Sequence, residues 1–177
     1  MENLESLLSQ LRTLLRELQA EKLSKFHRRV SLGDLLTDRA ENAREYGFGE
    51  GTTCYDNVLI LGNVKVGRQT WIGPGVILDG QGGLEIGDHC AISAGVHVYT
   101  HHTVRKSVQL GAAGMDTKPT KIGDGVYLGP NSIIQMGVSI GDRAVIGAMS
   151  FVTRDIPAGA MAWGCPARVV GTSDKYL

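Results

Sequence analysis

The stretch VHVYTHHTV, residues 96–104, holds three of the chain's five histidines: His97, His101 and His102. Imidazole is the side chain whose unperturbed charge change falls nearest neutral pH. Such a cluster can therefore act as a general base, as part of a metal cage, or as a hydrogen-bonded turn. The other two histidines sit apart, His27 in a helical region and His89 in the turn IGDHC, and both read as structural or solvated. Cys54, Cys90 and Cys165 are an odd number, widely spaced, with no CxxC pair. They argue against a disulfide framework and fit a reducing compartment.

The 177 residues suit one domain with a sizeable core. Eighteen basic and eighteen acidic residues balance, so the broad positive footprint of a nucleic-acid binder is missing and no nucleic-acid partner is expected. The opening MENLESLLSQLRTLLREL is charged throughout, without the apolar block of a secretory signal, and no later stretch is apolar for long enough to span a bilayer. The expectation is a cytoplasmic protein without membrane insertion.

The elements that must position the histidines follow two rhythms. In the first 47 residues Leu4, Leu7, Leu11, Leu14 and Leu18 keep an a/d spacing, and Leu8 and Leu15 widen the stripe into an amphipathic helix. A second helix is predicted from SLGD, where Ser31 and Asp34 form a capping-box pattern, to about Gly47. From residue 58 the period becomes six. The marked positions are Ile60, Val66, Ile72 and Leu78, then after two inserted residues Ile86, Ile92 and Val98, then after a long interruption Ile122, Leu128, Ile134, Ile140, Ile146 and Val152. Every one is Ile, Leu or Val. Two residues before each stands a small or aliphatic side chain, and Gly follows in seven cases.

Residues two apart on a strand share a face, so each hexad predicts a very short strand with two inward side chains and a tight turn. Such units are too short for hairpins and stack instead into a parallel β-helix. Cys90 and Cys54 fall on the inward register. The predicted organisation is a helical cap over 1–50, a β-helix over 51–157 with an inserted loop at 99–121, and a C-terminal capping segment over 158–177. The loop breaks the rhythm immediately after the histidine cluster, and loops of that length are usually functional or disordered.

The hexads, together with the closing run IGAMSFVTRDIPAGAMAWGCPARVVG, resemble the hexapeptide-repeat acyltransferases. SLGDLLTDRAENAREYGFGEGT near the start resembles the subgroup found among bacterial surface-polysaccharide enzymes. The resemblance covers about residues 52–171. It implies an all-β solenoid, a left-handed parallel β-helix with N-terminal α-helices, assembled as a homotrimer with active sites between subunits. It further implies acetyl-CoA as co-substrate, a sugar or nucleotide-linked sugar as acceptor, and a histidine base. The implied reaction is O-acetylation, with N-acetylation of an amino sugar or a non-catalytic assembly subunit as alternatives.

Within that subgroup the loop reads YTH, then Asp or His, then TV, which places the shared histidine at His101, with His102 as the alternative base. His97 alternates outward between Val96 and Val98 and is expected to line the groove or the surface. By the same resemblance Gly129, Pro130, Ala148 and Thr153 run beside the pantetheine arm. Arg154 and Arg168 match basic positions near the phosphates, where a planar guanidinium is suited to bind; an ion pair of Arg154 with Asp155 is the competing reading. Trp163 would pack on the adenine or close the solenoid. The same fold hosts zinc carbonic anhydrases, and His97 with His102 has a matching spacing. The third ligand would fall near ILGNVKV, which has no histidine, so no metal is expected.

Overall fold

The computed structural model describes residues 2–176. Each hexad advances the chain by one face, and three hexads bring it back above itself. One face stacks Cys54, Ile72, Ile92, Leu128, Ile146 and Ala162. The second stacks Ile60, Leu78, Val98, Ile134 and Val152. The third stacks Val66, Ile86, Ile122, Ile140 and Ile156. All of these pairings are parallel, and all the stacked side chains but Ile60 are buried. The molecule is a parallel β-solenoid with one continuous inner column. Each fully buried Leu, Ile or Val contributes about 1.5–3 kcal/mol, an upper bound because a compact unfolded chain already hides some of that surface.

The recurring Ile-Gly-Asp has a specific cause. At the corner between the third and first faces, Asp88 Oδ1 accepts the N–H of Arg68 at 2.9 Å, Asp124 Oδ1 that of Asp88 at 2.8 Å, and Asp142 Oδ1 that of Asp124 at 2.9 Å. A Cβ on Gly67, Gly87 or Gly123 would come within 2.2 Å of the carboxylate oxygen of the coil above. Glycine is needed there because the acid and the backbone of the coil above both press on it, not because of its own backbone angles.

Two strands depart from the short-strand expectation. Leu59–Val66 and Ile77–Ile86 run on through a corner and pair along their length, with a register shift between Gly62 and Val64. The corner is lined by glycine, and a Cβ on Gly80 would lie 2.3 Å from Asn63 O. The backbones approach too closely there for any larger residue, which lets the hydrogen-bonded ladder continue around the bend. The two residues inserted into the hexad count belong to this bend.

The helical region forms three helices: α1 (Glu2–Phe26), α2 (Leu32–Leu36) and α3 (Arg39–Glu45). The expected capping box does not form. Ser31 makes no side-chain cap, and its hydroxyl donates to Asp56 Oδ1 at 3.2 Å. Asp34 is buried against the Arg39 guanidinium, which lies 3.5 Å above the Tyr55 ring. The chain breaks at Thr37, and Asp38 caps α3 by accepting from the N–H of Ala40 and Glu41. α3 lies against the first rung, with Ala43 and Phe48 in the core and Asn42 Nδ2 donating to Cys54 O at 3.1 Å.

At the other end Ala160–Gly164 continues the first face in parallel, and Ala167–Thr172 turns back antiparallel to it. The interruption at 99–121 is not a plain loop. His101–His102 pairs antiparallel with Asp116–Thr117, and a short helix, α4 (Val104–Val108), follows the first strand of that ribbon. No described helix is long and apolar enough to cross a membrane.

Candidate active site

The second face ends at a corner where the chain leaves the coil for the ribbon. Leu78 stacks under Val98, so the next residue of the lower coil, Asp79, lies beneath the start of the ribbon. Asp79 is fully buried. Its Oδ2 accepts the backbone N–H of Thr100 at 2.7 Å and of His101 at 3.0 Å, and lies 2.6 Å from His101 Nδ1. Its Oδ1 accepts the N–H of Gln81 at 3.1 Å. Thr100 Oγ1 donates to Asp79 O at 2.8 Å and accepts from Gly82 N at 2.8 Å, which ties the corner to the coil below. Burial alone would push the Asp79 carboxyl up. The N–H groups of Thr100 and Gln81 and the His101 imidazole outweigh it and hold the carboxyl below the usual aspartate value.

An ionised carboxylate only accepts, so His101 Nδ1 carries the proton and Nε2 is left with the lone pair. His101 retains 23 % of its side-chain surface, enough to meet a ligand while its other nitrogen is anchored on a buried group. Its neighbour is held differently. His102 Nδ1 is 3.7 Å from Asp116 Oδ2, without a hydrogen bond, and Asp116 is taken by Arg105 at 2.5 Å. His97 stands on the outward side of the second face between Ile77 and Ile133, with Nδ1 3.3 Å from the Tyr99 hydroxyl and the rings edge to face. His27 and His89 are exposed, at positive φ.

The residues matched to the coenzyme, Arg168 excepted, fall at the two edges of the second face. Gly129 and Pro130 turn the corner before it, and Ala148 occupies the same turn one coil on, where Met149 N donates to Pro130 O at 2.9 Å. A Cβ on Gly129 would stand 2.5 Å from Ala148 N, so the two turns are in close contact. Thr153 and Arg154 begin the opposite corner, the one that Tyr99 begins in His101's own coil. Asp155 Oδ1 accepts the N–H of Ser139 at 2.8 Å, and Arg154 has no ion pair with it among the described residues. Arg168 lies on the terminal hairpin, opposite Trp163. Trp163 is half-exposed in that hairpin and contacts Gly147. Burial pushes the Cys54 thiol up to about 12 and that of Cys90 upward, which suits packing and not reactivity. No group of three or more His, Cys, Asp or Glu is arranged to hold a metal ion among the described residues.

Asp79 is the residue that sequence reasoning missed. A signal was present: an acid directly after an inward Leu, where the hexad count slips by two, one coil below the histidines.

Comparison with known proteins agrees with the repeat and the coil. The profile of the bacterial transferase hexapeptide (six repeats) matches residues 119–154, and that of the hexapeptide repeat of succinyl-transferase matches residues 63–100. Both matches are to hexapeptide-repeat transferases, one on each side of the interruption that carries the histidines. It is 34% identical to the galactoside O-acetyltransferase of Escherichia coli over 113 residues, 61% of this chain and 53% of that protein. It is 36% identical to the serine acetyltransferase of E. coli over 123 residues, 68% of this chain and 42% of that one. The chain thus spans about half the length of these curated relatives. A hexapeptide-repeat-containing acetyltransferase of Vibrio cholerae superposes with a TM-score of 0.70 at 29% identity, covering 96% of this chain and 92% of that one. A second structure of that protein is a complex with acetyl-coenzyme A.

Proposed function

We propose that this chain transfers an acetyl group from acetyl-CoA to a hydroxyl of a sugar or nucleotide-linked sugar, with His101 as general base. The observation that carries the reading is the Asp79–His101 pair, a solvent-reaching imidazole whose tautomer is set by a buried carboxylate. Nε2 takes the proton of the acceptor O–H as the oxygen attacks the thioester carbonyl. The tetrahedral intermediate then collapses, the C–S bond breaks, and the leaving sulfur takes the proton back from Nε2. The products are an acetyl ester and free CoA thiol, with no covalent enzyme intermediate. Asp79 keeps the imidazole oriented and stabilises its charged form between the two transfers.

The donor reading rests on the acetyltransferase names of the relatives and on the acetyl-CoA complex of the Vibrio protein. In this reading the pantetheine arm follows the second face, from the Gly129, Pro130 and Ala148 turns to Thr153, with Arg154 and Arg168 toward the phosphates. The sugar acceptor rests on the galactoside enzyme.

The outer sides of the solenoid support a homotrimer. The first face presents Trp71, Tyr127 and Val145 outward, and the second Leu59, Ile77, Ile133 and Phe151. The third carries Lys65, Glu85 and Lys121, cross-strand ions 3.4–3.7 Å apart. Two apolar sides and one charged side suit burial of two and solvation of the third. Val104, Val108 and Leu110 on the ribbon are exposed as well, consistent with an active site closed by a neighbouring subunit. Free cysteines fit a cytoplasmic setting.

The test is thiol release from acetyl-CoA over a panel of sugars, nucleotide sugars and amino sugars. Turnover with a hydroxyl acceptor, lost in His101→Ala, is the expected result. Turnover with amino sugars alone would make the enzyme an N-acetyltransferase. No turnover and no acetyl-CoA binding would sink the reading.

A further inference from the structure

α1 is longer than its packing needs. Only its second half meets α2, across a cleft lined by Leu15, Gln19 and Leu23 on one side and Leu32 and Leu35 on the other. Gln19 fixes the return of the chain, donating to Arg28 O at 3.0 Å and accepting from Val30 N at 3.3 Å. In the first half Leu4 is 70 % exposed, Leu7 60 %, and Leu8, Leu11 and Leu14 between 43 and 46 %. Five leucines on one side of three helical turns form an apolar patch of a kind that monomeric proteins rarely leave in water.

We propose that this half of α1 pairs antiparallel with the same segment of a second copy of the chain. The flanking residues choose both the occupant and the direction. With Leu4 and Leu11 at a and Leu7 and Leu14 at d, the e position is Leu8 and the g positions are Asn3 and Gln10. Parallel helices set e against g, which would place leucine on amide. Antiparallel helices set e against e and g against g, so Leu8 meets Leu8 and the amides face each other. The layers then match without a gap: Leu4 packs on Leu14 and Leu7 on Leu11, each twice. Glu5 and Arg12, both on the e side, become neighbours across the pair at both ends, an attraction that parallel packing does not provide. The next a position of the repeat, Leu18, is already half-buried in the part of the helix that α2 covers, so the free length is the length the pair uses. An antiparallel pair is twofold, and it therefore joins chains that the three-fold reading leaves in separate assemblies, making a trimer into a hexamer.

Light scattering on the full chain should give a mass twice that of Leu7→Asp/Leu11→Asp, with the solenoid's circular dichroism unchanged. Equal masses would overturn the pairing. Cysteine pairs give the direction independently of that variant's folding. In a Cys165→Ser background, Leu4→Cys mixed with Leu14→Cys should form a disulfide-linked dimer on oxidation, whereas Leu4→Cys alone should not, because like residues would lie about 15 Å apart along the axis. Cross-linking of Leu4→Cys alone would mean parallel helices, and no cross-link in the mixture would mean no pair; either result refutes the proposal.

Discussion

Asp79 and His101 divide one task between a buried charge and an exposed base. Removing the base, in His101→Ala, should lower kcat by about 10²–10⁴-fold, while His102→Ala, which loses no hydrogen bond of the imidazole, should leave turnover largely intact; single-turnover thiol release separates the two. Asp79→Asn preserves shape but removes the charge that holds the Nδ1 proton in place. Its kcat should fall by about 10²-fold or more, with the KM for acetyl-CoA little changed. Stability should follow, by about 1–3 kcal/mol at neutral pH, because the surrounding donors stay buried. The carboxyl's folded pKa is lowered, so its contribution is complete above the unfolded value of about 3.9 and disappears as pH falls through the folded value. Urea midpoints of the native chain and Asp79→Asn should differ clearly at neutral pH, then converge below about pH 4. A gap that stays undiminished well below about pH 4 would contradict the assignment.

At the scale of elements, the coil depends on small residues for reasons that differ from corner to corner. Gly87 lies under the Asp124 carboxylate, which would be 2.2 Å from an added Cβ. Gly87→Ala therefore displaces a ladder that runs from Arg68 through Asp142, and should cost about 1–3 kcal/mol. Ile134→Ala empties part of the inner column and should cost about 2–5 kcal/mol. Thermal unfolding by calorimetry would rank them, and a stable Gly87→Ala would show that the acid ladder carries little of the stability. The inner column was legible in the sequence because its period survives every insertion: Ile72, Ile92 and Leu128 find one another although two residues and then a long segment intervene. The capping box was misread because Ser31 and Asp34 found better partners, Asp56 and Arg39, that no local pattern reveals. Asp79 was missed for a related reason. Its meaning depends on Thr100 and His101, one coil later, and the slip in the hexad count marks the position without showing what the acid holds.

For the whole molecule, the outer faces separate what must be covered from what can stay wet. On the proposed three-fold assembly, Ile133→Glu, on the second face, should leave the solenoid's dichroism intact while reducing the mass to that of one chain; sedimentation reads it. The end of the solenoid has a different consequence. A parallel stack is open to growth, since its last rung offers unpaired N–H and C=O groups of the kind that template another strand. Here the chain reverses, and Ala167–Thr172 occupies that edge of Ala160–Gly164 in the opposite direction. The reversal works as a stop against polymerisation. Truncation after Gly164 would leave a bare template, and the shortened protein is expected to elongate end to end into fibres that electron microscopy would reveal.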